Sequence, residues 1–384
     1  MMVKILQLFL LLSALLLCAN HASSAPSESN DDHSGEEKSM YCQRNKEDAN
    51  ECSIYLPPAN NPTLTLRNGV QLPLFSLGLA HFTFGAPHVG SNKTFVGFYP
   101  SKSFRQIELA LQKGIRSFDT ALMYGTQPHL GQVLGQWWAS GRLKSREDVF
   151  LTTKVFHKPA PKFGLKRNHQ WNLDDMTPEQ VAIQTEDHIE QCLQELQVGY
   201  IDLLLMHWPS GEGQEEGISR QRRLAAWKVF EDFYQRGWVR AIGVSNFCER
   251  HMDQLMQDGA TIRPMVNQIE SSPYLQYESI VSYCRDHEIQ AHAYSPMGSG
   301  LMNVQNDAVL QQLGKAHQKD VGQVVFRYLI QKGYAIAFQT NSPERMVSNL
   351  DVLDFELDEE EMKAIYGLIR VNGSFGLPSP HDLP

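Results

Sequence analysis

Gly114-Ile115-Arg116-Ser117-Phe118-Asp119-Thr120-Ala121-Leu122-Met123-Tyr124-Gly125 is the stretch on which the reading of this chain turns. Residues 115–118, between a glycine and a carboxylate, read as a short buried strand. The strand ends on Asp119, and a loop carries Tyr124 five residues further on. On a barrel scaffold this acid and this phenol would share one rim of the sheet, where substrates bind.

Working outward, seven more short apolar runs accompany it, at residues 75–79, 149–153, 200–206, 239–244, 264–268, 289–294 and 334–338. Helical patterns lie between them. Thr177-Pro178-Glu179-Gln180 is a capping box with proline at the first helical position, and it opens a helix reaching residue 196. Along that helix Val181, Ile183, His188, Ile189, Cys192, Leu193 and Leu196 are expected mostly on one face. Ser342-Pro343-Glu344-Arg345 opens another helix in the same manner, and Asp358 with Glu361 opens a last one after the eighth strand. Eight strands alternating with helices predict an α/β chain folded as a (β/α)8 TIM barrel. A doubly wound sheet would carry Gly-x-Gly-x-x-Gly after its first strand, and none is present. Ahead of the barrel, residues 64–67, the turn Asn68-Gly69 and residues 70–72 read as a β-hairpin. Two long loops, 82–101 and 156–176, are expected at the C-terminal rim, the second basic and aromatic.

Length and composition set the class. The chain has 384 residues, 42% of them hydrophobic, enough for one large core or two domains. Its formal net charge of −9 and the lack of a basic tract argue against nucleic acid as a partner. The first residues read as a processing signal: a basic start through Lys4, an apolar run over 5–19, then the small residues Ala22, Ser23, Ser24 and Ala25. Residues 1–25 are therefore expected to be a signal peptide cut after Ala25 or Ala22. The alternative is an uncleaved anchor, but the run 5–19 is short of the about 20 residues that cross a bilayer. Cleavage leaves no membrane attachment. Residues 26–60, rich in Ser, Asn, Asp and Glu, read as a flexible polar extension ahead of a barrel over 61–384.

Export shapes the cysteine reading. Cys42 and Cys52 flank a short polar loop and are the expected disulfide, while Cys192, Cys248 and Cys284 lie in helical patterns as buried thiols. Their spacing offers no metal site. Asn92-Lys93-Thr94 and Asn372-Gly373-Ser374 are glycosylation sequons, whereas proline disqualifies Asn61-Pro62-Thr63. The final His381-Asp382-Leu383-Pro384 is not a retrieval signal, so secretion is expected, with the endoplasmic reticulum lumen as the alternative.

Four titratable residues converge on the predicted rim. The second strand ends at Asp119, the third at Lys154 and the fourth at His207, and Tyr124 follows the second. Each alone has a bland explanation, such as a helix cap or a surface lysine. Together they suit proton donation to a carbonyl oxygen. A phenol with a pKa of about 10 is a poor acid at neutral pH; the Lys154 ammonium is expected to lower it, with Asp119 holding that lysine charged. His207 is placed to orient the carbonyl. No activated nucleophile accompanies them, so the electrons point to a nicotinamide hydride.

From residue 64 to residue 370 the chain resembles the aldo-keto reductases. The match rests on Gly114 to Tyr124, on Val149-Phe150-Leu151-Thr152-Thr153-Lys154, and on Tyr200-Ile201-Asp202-Leu203-Leu204-Leu205-Met206-His207-Trp208-Pro209. The resemblance implies Tyr124 as general acid, with Asp119, Lys154 and His207 completing a tetrad. It implies cofactor contacts as well. Ser245 and Asn246 of Gly243-Val244-Ser245-Asn246-Phe247, with Gln268, would hold the carboxamide. Tyr294 would stack on the nicotinamide, and Ser295, Pro296, Met297 and Ser299 would meet the pyrophosphate. Gln339, Thr340, Arg345 and Asn349 would surround the 2′-phosphate, although the family's lysine is replaced here by Gln339. Phe82 and Trp208 would line the substrate pocket. Gly78-Leu79-Ala80-His81-Phe82 and Thr126-Gln127-Pro128 also depart from the family pattern. The expected activity is reduction of a small-molecule aldehyde or ketone with NADPH, or alternatively NADH. The rival is an exported non-catalytic barrel serving as a binding or matrix protein.

Overall fold

The structure is a computed structural model. It describes residues 61–84, 95–98, 100–155, 176–210, 214–300, 302–370, 377 and 379–384, with the backbone only for 82–84, 95–98 and 100. The signal and extension over 1–60, Cys42 and Cys52, both sequons at Asn92 and Asn372, and nearly all of the loop 156–176 lie outside the described residues.

Eight parallel strands close into a barrel: β3 (Phe75–Gly78), β6 (Ser117–Asp119), β7 (Phe150–Val155), β8 (Leu203–Met206), β9 (Ile242–Ser245), β10 (Val266–Glu270), β11 (Gln290–Tyr294) and β12 (Ala335–Phe338). They follow one another in chain order around the barrel, and β12 pairs with β3 to complete it. Residues of β6 through β10 are buried on both faces, as a parallel sheet wrapped in helices requires. The expected (β/α)8 architecture is what the chain adopts. β6 begins later than the predicted residue 115, because the Ile115 N–H still bonds the Ala110 carbonyl of the preceding helix.

The outer helices are α1 (Ser103–Gln112), α2 (Gln127–Ala139), α3 (Pro178–Leu196), α4 (Glu216–Gln235), α5 (Glu249–Gln257), α6 (Glu278–Asp286), α7 (Ala308–His317), α8 (Val321–Gln331), α9 (Pro343–Ser348) and α10 (Glu359–Tyr366). Thr177 caps α3 in a reciprocal box with Gln180, and Ser342 and Asp358 cap α9 and α10. One expectation fails on α3. Ile183 is 63% exposed, while Val181, Thr185, His188, Ile189, Cys192 and Leu196 are buried. Position 183 lies two residues from Val181, off the stripe that spacings of three and four create.

Outside the barrel, β1 (Thr63–Thr65) and β2 (Gln71–Pro73) form the expected antiparallel hairpin, with Leu64 opposite Leu72. A second ribbon, β4 (Phe82–Phe84) against β5 (Phe95–Phe98), rises from the first loop. At the other rim Asp202 is buried just before β8. It accepts from Arg146 at 2.6 Å, Arg240 at 2.8 Å and the Leu151 N–H at 2.9 Å. Cys192, Cys248 and Cys284 are buried free thiols, as read from their helical patterns. Among the described residues no helix is long and apolar enough to cross a membrane.

Candidate active site

The C-terminal strand ends bring the four predicted residues together. Asp119 closes β6, Lys154 sits near the end of β7, and His207 directly follows β8. Tyr124 is delivered by a single helical turn, Leu122–Tyr124, which Gly125 terminates at φ 66°, a left-handed conformation suited to glycine. Lys154 Nζ donates to Asp119 Oδ1 at 2.5 Å and to the Thr120 carbonyl at 2.9 Å. It stands 5.5 Å from the centre of the Tyr124 ring. The Tyr124 hydroxyl lies 3.5 Å from His207 Nε2, the two rings meeting edge to face. Asp119, Lys154 and His207 are buried, and Tyr124 is half-buried.

The electrostatics differ from the sequence expectation in one respect. Burial, reinforced by the Asp119 carboxylate, holds the Tyr124 phenol above its ordinary pKa. The expected lowering by Lys154 does not prevail, because burial and the Asp119 carboxylate both favour the neutral phenol. Burial pulls the Lys154 ammonium down, while Asp119 opposes that shift.

The polar groups expected around a nicotinamide form one connected set. Tyr294 Oη donates to Asn246 Oδ1 at 2.8 Å; Asn246 Nδ2 donates to the His207 carbonyl at 3.0 Å and to Ser245 Oγ at 3.1 Å. Asn246 holds φ 61°, which turns its amide inward. Ser245 Oγ donates to the Gln268 carbonyl at 2.8 Å, and Gln268 Nε2 donates to Asp119 Oδ2, also at 2.8 Å. Beyond Tyr294 the backbone enters a left-handed turn, with positive φ at Ser295, Gly298, Ser299 and Gly300. Ser299 Oγ donates to Ser295 Oγ at 2.9 Å; Pro296 is buried beside them and Met297 packs on the core.

A second cluster occupies the mouth between β12 and β3. Gln339 Nε2 donates to the Ala80 carbonyl at 3.0 Å and reaches His81 Nδ1 at 3.4 Å. His81 Nε2 donates to Gln106 Oε1 at 2.7 Å, and Gln106 Nε2 donates to the Thr340 carbonyl at 2.9 Å. This chain of neutral groups fixes the backbone where Thr340 turns into α9. Arg345 is exposed there and makes no ion pair among the described residues. Asn349 is buried at the end of α9.

Residues 82–370 match the model of the Aldo/keto reductase family. The chain belongs to that family. It is 31% identical to the glyoxal reductase of Bacillus subtilis, over 82% of this chain and 95% of the relative. It is 32% identical to the 9,11-endoperoxide prostaglandin H2 reductase of Trypanosoma cruzi, over 80% of this chain and 91% of the relative. The barrel superimposes with a TM-score of 0.64 on a Bombyx mori aldo-keto reductase solved in complex with NADP, at 28% identity, covering 80% of this chain and 93% of that one. As a member of the aldo/keto reductases this protein is an oxidoreductase.

Two residues, Gln106 and His292, escaped the sequence reading, and His81 was read only as a departure from the family pattern, not as part of the cluster with Gln106 and Gln339. Only His292 left a usable signal, an imidazole between two alanines in Gln290-Ala291-His292-Ala293-Tyr294, a strand read as apolar. Of the predicted pocket walls, Trp208 stacks on the His207 ring at 6.3 Å, whereas Phe82 is described by its backbone alone.

Proposed function

We propose that this reductase converts an aldehyde or ketone to the alcohol at the expense of NADPH, with Tyr124 as the proton donor. The observation that carries the reading is the approach of the Tyr124 hydroxyl to His207 Nε2, beside the buried Lys154–Asp119 pair. A carbonyl oxygen seated between Tyr124 and His207 would receive a hydrogen bond from each. His207 then orients the oxygen, and the phenol, held protonated by its burial, delivers its proton as negative charge develops there. Lys154, beside the ring, stabilises the phenolate left behind. When bound, the nicotinamide supplies the hydride to the carbonyl carbon.

The chain's own groups suit that cofactor. Ser245, Asn246 and Gln268 offer both donors and acceptors to a carboxamide, as the Tyr294–Asn246–Ser245 hydrogen bonds already display. The positive φ at Ser295, Gly298, Ser299 and Gly300 gives a turn of the kind whose backbone N–H groups hold phosphate oxygens. Arg345 supplies an exposed guanidinium for a 2′-phosphate, and Gln339, Thr340 and Asn349 give neutral contacts. The silkworm relative solved with NADP supports this choice. Export, by residues 1–25, belongs to the same proposal, with secretion favoured over retention in the endoplasmic reticulum.

The test is Tyr124→Phe. The variant is expected to lose carbonyl reduction by about 10²- to 10⁴-fold, the range typical of general acid catalysis, while NADPH still quenches tryptophan fluorescence. Undiminished reduction by the variant overturns the mechanism; absent quenching of the wild type favours the non-catalytic barrel.

A further inference from the structure

His292 is a buried titratable residue that the reaction above leaves unused. It lies in the middle of β11, is 0% exposed, and stands in register with Gln268 of β10. Gln268 Nε2 reaches His292 Nδ1 at 3.2 Å while donating to Asp119 Oδ2 at 2.8 Å. An amide has one end that only donates and one that only accepts. The carboxylate only accepts, so the NH2 end must face Asp119. The same NH2 meets Nδ1, which is therefore the unprotonated ring nitrogen, and the imidazole proton sits on Nε2, a buried atom with no hydrogen-bond partner among the described residues. The two acceptors together decide which way the amide lies: Oε1 is the end turned away from Asp119 and His292.

We propose that His292 is a positioning residue of this reductase, holding the Gln268 amide so that Nε2 braces Asp119 against Lys154 and Oε1 is presented to the nicotinamide carboxamide. The inference rests on the function proposed above. Asp119 is buried and takes the Lys154 ammonium on Oδ1. Its second oxygen needs a donor of its own, and Gln268 provides it. Without an acceptor at position 292 the amide is held by Asp119 alone and can swing about that one bond, which loosens both the brace on the carboxylate and the aim of Oε1. The charged groups facing His292 are Asp119 and Lys154, while β10 and β12 contribute the neutral Gln268 and Ile336. Burial pushes the imidazole down to about 4, so the Nδ1 acceptor persists through neutral pH.

The experiment begins with wild-type turnover of a panel of aldehydes and ketones with NADPH. Absence of turnover sinks the functional reading alone, and the role of His292 is then decided by cofactor affinity and by the histidine tautomer. Given turnover, His292→Leu removes the acceptor at similar bulk, and His292→Asn restores one near the place of Nδ1. With folding verified by thermal melts, His292→Leu is expected to lose about tenfold in kcat and about tenfold in NADPH affinity by fluorescence titration, near the worth of one hydrogen bond each. The KM for the carbonyl should change little, and His292→Asn should recover most of both losses. A folded Leu variant with wild-type kcat and cofactor affinity overturns the proposal, and so does an Asn variant as impaired as Leu. Nitrogen-15 spectra of histidine-labelled wild type give a reading that needs no variant. They should show His292 as the Nε2–H tautomer from about pH 6 to about pH 8, and the Nδ1–H tautomer would contradict the proposal.

Discussion

Gln268 and Asp119 meet across the lumen of the barrel. Gln268 Nε2 donates to Asp119 Oδ2 at 2.8 Å, although β10 and β6 stand four places apart in either direction around the closed sheet. Asp119 thus receives a lysine from the neighbouring strand and an amide from the opposite wall, and the carboxylate at the centre of the site is held from both sides.

This arrangement makes the Asp119–Lys154 pair expensive to break singly. Asp119→Asn strands a buried ammonium, and Lys154→Met strands a buried carboxylate. Each is expected to destabilise the fold by about 3–5 kcal/mol, the usual cost of an orphaned buried charge. The double variant Asp119→Leu with Lys154→Met should regain most of that stability in urea melts while carbonyl reduction stays lost. A double variant as unstable as the sum of the singles would show that the pair is not coupled.

Gln339 stands where a cation would strengthen the hold on a 2′-phosphate. It is exposed and tied to the Ala80 carbonyl, its amide is neutral, and Arg345 is the exposed guanidinium at the start of α9. Gln339→Lys is expected to tighten NADPH about tenfold at low salt, with the gain fading as ionic strength rises, and to leave NADH unchanged. Arg345→Gln should weaken NADPH alone. Fluorescence titrations with both cofactors check this, and equal effects on the two would remove Arg345 and Gln339 from phosphate recognition.

Acid should destabilise the barrel earlier than carboxylate protonation alone would. Burial pushes His188 and His292 down to about 4 and His251 to about 3. In the unfolded chain each histidine takes up a proton near its ordinary value of about 6.5. Between that value and about 4 the unfolded state therefore binds more protons, and stability is lost as pH falls. The thermal midpoint is expected to decline continuously from about pH 6.5 downward, and His188→Leu should flatten the slope. A midpoint constant to about pH 5 would contradict these directions.

Gly243 tests the packing of the barrel wall. A Cβ at this position would lie 2.6 Å from the Val266 carbonyl and 2.8 Å from Leu205 Cδ2, on the two strands flanking β9. The Leu205 side chain can rotate aside, but the Val266 carbonyl is backbone and cannot retreat without disturbing β10. Gly243→Ala is expected to cost about 1–3 kcal/mol as an overpacked site, read as a lowered urea midpoint with an unchanged slope. Unaltered stability would mean that β9 can slide outward.

The eight strands, the capped helices at Thr177, Ser342 and Asp358, and the convergence of Asp119, Tyr124, Lys154 and His207 were legible from the sequence alone. These features depend on short-range order: apolar runs, cap chemistry at i and i+3, and the rule that barrel strands end at one rim. Only the tertiary structure decided that Gln268 reaches Asp119, that Gln268 meets His292, that Gln339 bonds the Ala80 backbone, and that burial raises rather than lowers the Tyr124 pKa. It also turned Ile183 to solvent and paired β4 with β5. The reason is physical. Side chains in the lumen meet only after the sheet closes, and the field at a phenol depends on what already neutralises its neighbour, so neither can be read from positions along a strand.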